Sequence, residues 1–139
     1  MKYFYLEPEV AGGLGPGTVM DSSAHPPKIS KLNYQFDDWL GDVLLEAFPC
    51  FIITKEGRRI IEGQRFTGIC FDDVEITTSD LFQDLFPDGP LPEFNWLKVL
   101  GHAAQDDFGI SIDHRLVVSE RVLKTLNKLG ISNALVHDF

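Results

Sequence analysis

The side chains with the greatest chemical potential in this chain are carboxylates. Asp72, Asp73 and Glu75 form one acidic run, Asp80 and Asp84 a second at helical spacing, and Asp106 and Asp107 a third. Hard cations take oxygen ligands, so these acids would make a metal site if they converged, with His102, four residues before Asp106, as a further donor. Adjacent acids on a strand point to different faces, however, and no spacing here matches a metal loop. The expectation is solvated acidic segments and no metal. Ser111, Asp113 and His114 lie close together, but neither a Gly-x-Ser-x-Gly elbow nor a Cys-His signature surrounds them. Ser119 is better placed as a helix cap than as a nucleophile. His25, His102, His114 and His137 are scattered, each in a surface or turn context. Cys50 and Cys70 are isolated thiols between apolar neighbours, which suits buried small hydrophobes of a reducing compartment. The glycine-rich residues 11–17 (AGGLGPG) lack GxGxxG spacing and no Lys-Ser/Thr follows, so they predict a loop and not a phosphate cradle. No catalytic residue emerges, no enzyme is expected, and no cofactor is implied.

Charge says more. Twenty-one acids against twelve bases give the 139 residues a net charge of −9. Nucleic-acid binders need a basic footprint that displaces counterions, and this chain carries the opposite field. It would repel anionic lipid as well. A charged partner should be basic, with steered and salt-sensitive association. The length suits one domain, 1–139, large enough for a core without staples. No apolar run reaches membrane-spanning length, and residues 1–10 show no basic region followed by an apolar one. The expected location is the cytoplasm.

The clearest structural signal lies in residues 116–130 (LVVSERVLKTLNKLG). Leu116, Val117 and Val118 form a β-prone run, Ser119 caps a helix, and Val122, Leu123, Leu126 and Leu129 make its apolar stripe before Gly130 stops it. An echo lies 65 positions upstream, where Phe51-Ile52-Ile53-Thr54-Lys55-Glu56 aligns with Leu116-Val117-Val118-Ser119-Glu120-Arg121. Strand–cap–helix units recur for physical reasons alone, so the echo predicts the same local structure twice and not a duplication. Residues 2–10 predict a first strand with Tyr3 and Tyr5 on one face and Phe4 and Leu6 on the other. Residues 29–36 predict a strand, and Asp37 or Asp38 caps a helix through Phe48 with Leu40, Val43, Leu44, Ala47 and Phe48 inward. Residues 66–77 supply one or two strands. Ser79 caps a short helix with Leu81, Phe82, Leu85 and Phe86 on one side and Asp80 and Asp84 on the other. A proline-rich turn spans 87–94, and strands follow near 95–100, 108–112 and 134–139. Strands and helices mix without strict alternation, which predicts a single α+β domain, a mixed or antiparallel sheet with about three helices packed on it.

The C-terminal LVVSERVLKTLNKLGI, preceded by Asp106-Asp107-Phe108, resembles the tail of α+β immunity proteins of bacterial polymorphic toxin systems. Those proteins often end in an apolar strand, "VSE", a leucine-spaced helix and a short final strand. Trp39-Leu40-Gly41-Asp42, Phe51-Ile52-Ile53-Thr54 and Phe66-Thr67-Gly68 fit more loosely, and the N-terminal half departs from the pattern. The resemblance implies a small cytoplasmic protein without catalysis that binds a cognate toxin domain and covers its active site. No contact residues transfer with it. Many such toxins are nucleases with basic clefts, which an acidic surface would meet. The expected contact residues are therefore Asp72, Asp73, Glu75, Asp80 and Asp84, with Phe94 and Trp96 as exposed aromatic anchors if they are not ordinary core. The residues 12–27 are the next contact region. The alternative class is a housekeeping interaction or ligand-binding scaffold that forms a homo-oligomer.

Overall fold

The computed structural model describes residues 1–89 and 91–139. Pro90, within the expected proline-rich turn, lies outside the described residues. The first half of the chain runs β1 (Tyr3–Glu7), β2 (Gly12–Leu14), β3 (Val19–Asp21), β4 (Lys28–Lys31), β5 (Asn33–Phe36), β6 (Leu44–Ala47), β7 (Cys50–Thr54) and α1 (Lys55–Gly63). The second runs β8 (Ile69–Asp72), β9 (Glu75–Thr78), α2 (Asp80–Leu85), β10 (Phe94–Val99), β11 (Phe108–Ile110), β12 (Leu116–Ser119), α3 (Glu120–Leu129) and β13 (Leu135–Asp138). Two four-stranded antiparallel sheets dominate, in the orders β6-β7-β10-β8 and β11-β12-β1-β13. A three-stranded sheet, β2-β5-β9, and the β3-β4 hairpin complete a single α+β domain.

The two large sheets repeat one plan. In each, a hairpin leads into a capped helix and a returning edge strand, and a strand from elsewhere in the chain fills the gap. Thr54 caps α1 by accepting from the Gly57 amide at 3.0 Å, and Ser119 caps α3 by accepting from the Val122 amide at 3.4 Å. The foreign strands enter in one register: Phe94 opposes Thr54 and Leu97 opposes Phe51, as Tyr3 opposes Ser119 and Leu6 opposes Leu116. The first helical amides donate alike, Lys55 to the Glu93 carbonyl and Glu120 to the Lys2 carbonyl. The returning strands also match, with Leu97 opposite Phe71 and Leu6 opposite Val136. The plan therefore extends well beyond the short sequence echo. Its order along the chain crosses over: β1 precedes the β6-β7-α1-β8 unit but completes the other sheet, while β10 precedes β11-β12-α3-β13 and completes the first. Each half thus holds a strand of the other.

The central core follows this plan. Phe51, Ile53, Ile61 and Phe66 face Leu116, Val118, Leu126 and Ile131, each 65 positions on, with Leu6 matched to Leu97 and Leu44 to Phe108. The alternate residues of the β6–β7–β10 strands, Leu45, Ala47, Cys50, Ile52, Phe94 and Trp96, point the other way. They are covered by the β2-β5-β9 sheet and α2 through Tyr34, Phe36 and Phe82. The Tyr34 hydroxyl fastens this cover, accepting from the Ala11 amide at 3.0 Å and donating to the Glu46 carbonyl at 3.1 Å.

Two buried carboxylates tie the halves together. Asp42 accepts from the Asn133 amide at 2.9 Å and from its side chain at 2.8 Å. Asp107 accepts from the Thr67 amide at 3.0 Å, the Ser119 hydroxyl at 2.8 Å and Arg121 at 3.0 Å. Each acid sits just before the hairpin of one half and holds the segment that follows the helix of the other. Hydrogen bonds to a charged group are about twice as strong as neutral ones, so these are strong ties.

Three expectations need correction. The helix through Phe48 does not form: residues 37–43 are irregular, and Leu44–Ala47 is strand β6 paired with β7. The buried Glu9 carboxylate takes the Leu40 and Asp42 amides at 2.7 and 3.2 Å, which leaves them unavailable to a helix, and Gly41 has φ +104°. The residues 11–17 are not simply a loop, since Gly12–Leu14 pairs with β5. A Cβ at Gly12 would strike the Gln35 carbonyl, so glycine is what permits this approach. The strand expected over 29–36 is two strands in different sheets, broken at Leu32.

Asp107 is held well by its partners. Burial alone would raise its pKa, but the Thr67 amide, Ser119 and Arg121 together bring it below the usual carboxylate value. A depressed carboxylate contributes stability that is present above its unfolded-state pKa and is lost as pH falls through the folded value. Asp107→Ala is therefore expected to cost about 2–3 kcal/mol near neutral pH in urea unfolding, with a smaller difference from the parent in strong acid. An unchanged midpoint at neutral pH would show that the tie contributes nothing.

Candidate partner-binding surface

The expected acidic residues are exposed, but they form two groups. Asp72 ends β8, where its carboxylate accepts from the Asp73 amide at 2.8 Å and meets Lys98 at 3.3 Å. Those two contacts, the amide first, lower its pKa. Asp73 and Glu75 follow on the turn into β9, whose backbone is tied to β5 through the Asn33 side chain at 3.2 Å from the Glu75 carbonyl. Asp80 and Asp84 lie on α2, beyond the far end of β9. Residues 76–79 separate Glu75 from Asp80, about 16 Å along an extended chain. Ser79 caps α2 by accepting from the Phe82 amide at 3.3 Å, while its own amide donates to the Phe36 carbonyl at 2.9 Å. Asp37 and Asp38, which follow Phe36, therefore flank the start of α2.

The apolar side of α2 is divided. Phe82 is buried against Phe36, with ring centroids 6.1 Å apart, and Phe86 packs on Phe82 at 5.0 Å. Leu81 and Leu85 instead stand 54% and 52% exposed beside Asp80 and Asp84. Their exposure corrects the single inward stripe expected from spacing: a six-residue helix resting on one sheet edge can bury only the side nearest it. Phe94 and Trp96 are also corrected. They are 6% and 5% exposed, so they are core and not exposed anchors. Phe94 lies against Phe36 and Trp39 at 5.3 and 6.0 Å, and the Lys98 ammonium stands 4.4 Å above the Trp96 ring. The exposed apolar groups beside the acids are leucines that sequence reasoning had placed inside.

The charge layout is sharply uneven. Residues 72–93 contain seven acids and no Lys or Arg. Asp72 and Glu93 are paired, with Lys98 and Lys55. Asp73, Glu75, Asp80, Asp84 and Asp88 are exposed and form no salt bridge among the described residues. This segment forms much of the outer layer over the β6-β7-β10-β8 sheet.

The other constellations have structural uses. Asp106 accepts from the His102 amide at 2.9 Å, while Asp107 turns inward to Ser119 and Thr67, so the two acids do not converge with His102. No group of three metal-ligating side chains occurs among the described residues. The Ser111 hydroxyl bonds Asp113, and Arg115 pairs with the same carboxylate at 2.7 Å. His114 turns away to stack edge-on with His25 at 5.6 Å. Cys50 is buried, which pushes its thiol up to about 12 and keeps it protonated at neutral pH, whereas Cys70 is exposed, against expectation. An apolar recess of about 280 Å³ lies between Pro26, Phe48, Trp96, Leu100, Ile110 and His114, bordered by Lys98, the partner of Asp72. The residues 12–27 contribute to it through Pro26 and Pro27, and also form the exposed strand β3.

No protein-family model matches this chain, and no characterised protein matches it at a significant level. No helix among the described residues is long and apolar enough to cross a membrane.

Glu46, which the expected helix through Phe48 would place on its water side, is part-buried and is the most perturbed carboxylate. It occupies the position of Ile110 in the other half: Glu46 opposes Phe51 on β7, and Ile110 opposes Leu116 on β12. Burial first, and the nearby Glu7 second, raise its pKa from 4.5 to about 7. A raised carboxylate leaves stability intact below the unfolded pKa and removes it as pH rises through the folded value. Replacing Glu46 by Ile should therefore stabilise the fold by about 1–2 kcal/mol at about pH 9, after allowance for its partial exposure, and much less at about pH 5. A gain equal at both values in urea unfolding would contradict an ionisation penalty at this site.

Proposed function

We propose that this chain is a non-catalytic, cytoplasmic immunity protein that binds a cognate antibacterial toxin domain and neutralises it by covering its active site. The observation that carries the reading is the segment 72–93, with seven acids, no base, and Leu81 and Leu85 exposed among them. An acidic surface with apolar contacts at its centre suits a basic partner: the charges raise the encounter rate and the leucines hold the complex once formed. A basic nuclease-type toxin is the partner class this surface favours. The resemblance of the C-terminal strand, "VSE" and leucine-spaced helix to immunity proteins supports the same reading. So does the structural employment of Ser111, Asp113, Asp106 and Asp107 within the fold.

The contact set is narrowed to Asp73, Glu75, Asp80 and Asp84 with Leu81 and Leu85. Asp72 is shared with Lys98, and Phe94 and Trp96 support the layer from beneath. Capture of the tagged protein from its native cells should retain one basic polypeptide encoded beside it, progressively lost as salt rises. Asp80→Lys with Asp84→Lys should weaken that complex by roughly 10- to 100-fold and reduce protection against the toxin, with the fold unchanged. An identical complex with the variant would move the interface elsewhere, and a protein that captures nothing would overturn the reading.

A further inference from the structure

The recess bordered by Lys98 is built by segments far apart in the chain. Its floor is the end of the β7–β10 pair, where Cys50, Phe51, Trp96 and Leu97 are buried. Pro26 and Pro27 form one wall, and Ile110 and His114 of the second half form another. His114 is held at φ +67°, a left-handed conformation uncommon outside glycine, with its amide donating to the Ser111 carbonyl at 2.9 Å. That turn sets its ring against His25, with centroids 5.6 Å apart, which holds the residues before Pro26 at the recess. At the rim Phe48 and Leu100 are 48% and 67% exposed. The recess is thus mostly apolar from floor to rim.

One permanent charge enters it. Lys98 lies on the same face of β10 as Trp96, and its ammonium stands 4.4 Å from the centre of that ring. Although the chain has twenty-one acids, no carboxylate among the described residues lines the recess. Asp72 meets the ammonium from outside it at 3.3 Å, while also accepting from the Asp73 amide at 2.8 Å. Among the described residues Asp72 is the one acceptor of Lys98, whose ammonium carries three N–H donors.

We propose that this recess binds a small amphipathic carboxylate, an aromatic ring on a short chain that ends in one carboxyl group. The ring fills the apolar space against Trp96, Phe48 and Pro26, and the carboxylate accepts from Lys98. Size selects the body: an apolar cavity of about 150 Å³ is enough for a benzene ring. The 280 Å³ here adds room for a tail of two or three atoms. Charge selects the head, because an apolar lining with one ammonium and no acid favours an anion over a cation. Asp72 orients the ammonium beforehand, so the ligand adds a second acceptor to a lysine already in place.

None of Asp73, Glu75, Asp80, Leu81, Asp84 and Leu85 lines the recess, so this site stands apart from the toxin reading. Proton–nitrogen correlation spectra of the full chain, titrated with 3-phenylpropionate and with its neutral amide, test it. The acid is expected to shift the Trp96 indole, Lys98, Leu100 and His114 signals saturably, with a Kd of about 1 mM or below. The amide should bind at least about fivefold more weakly. Lys98→Met, which keeps an unbranched stem against Trp96, should bring the acid down to the amide's affinity. Leu100→Asp, at the exposed rim, should also weaken the acid. The same spectra show whether each variant keeps its fold, and the comparison of acid with amide needs no variant. No saturable shift at about 20 mM, or equal affinity for acid and amide, overturns the proposal. So does undiminished binding of the acid to a folded Lys98→Met.

Discussion

The constraint on which this structure depends is the exchange of one strand between its two halves. A β-strand–helix unit such as β6-β7-α1-β8 has a gap between its hairpin and its returning strand, and unpaired backbone groups there would be costly once buried. β10 fills that gap, and β1 fills the matching one beside β12. Neither half can complete its sheet from its own neighbouring sequence. The central core is then shared by construction, because every buried layer contains side chains from both halves. The Asp42 and Asp107 ties add directional bonds across the same boundary.

This arrangement also explains the distribution of exposed chemistry. The connections from β1 to β6 and from β8 to β10 are long enough to build further strands, and both fold over one face of one sheet. That cover carries the acidic segment outward and leaves the corresponding aromatic face on the other sheet open. The acidic segment thus carries Leu81 and Leu85 outward with its charges.

Legibility in the sequence followed the range of the interactions. Residues 116–130 could be read correctly because cap, stripe and stop are all local: Ser119, Val122, Leu126 and Gly130 do what their spacing implies. The 65-residue echo correctly predicted two similar units, but the shared register of β1 and β10 was invisible because it depends on pairing partners far along the chain. The segment containing Val43, Leu44 and Leu45 suits either period, and its fate was decided by Ile52, Ile53 and the Glu9 carboxylate. The acids of the candidate surface were legible as exposed charges. Their apolar companions were not, because whether Leu81 or Phe82 faces inward depends on where the β5–β9 edge lies. Glu46 was missed because the expected helix through Phe48 puts it, with Asp42, on the water side, whereas β6 sets Glu46 opposite Phe51 and Asp42 is buried.

The account's central claim is that the halves complete one another and so unfold together. Native-state hydrogen exchange in increasing urea tests it most directly, comparing amides of β7 and β10 with those of β1 and β12. Convergence of all four strands on one opening free energy is the predicted result. Opening of β1 and β12 at lower free energy while β7 and β10 remain protected would contradict it.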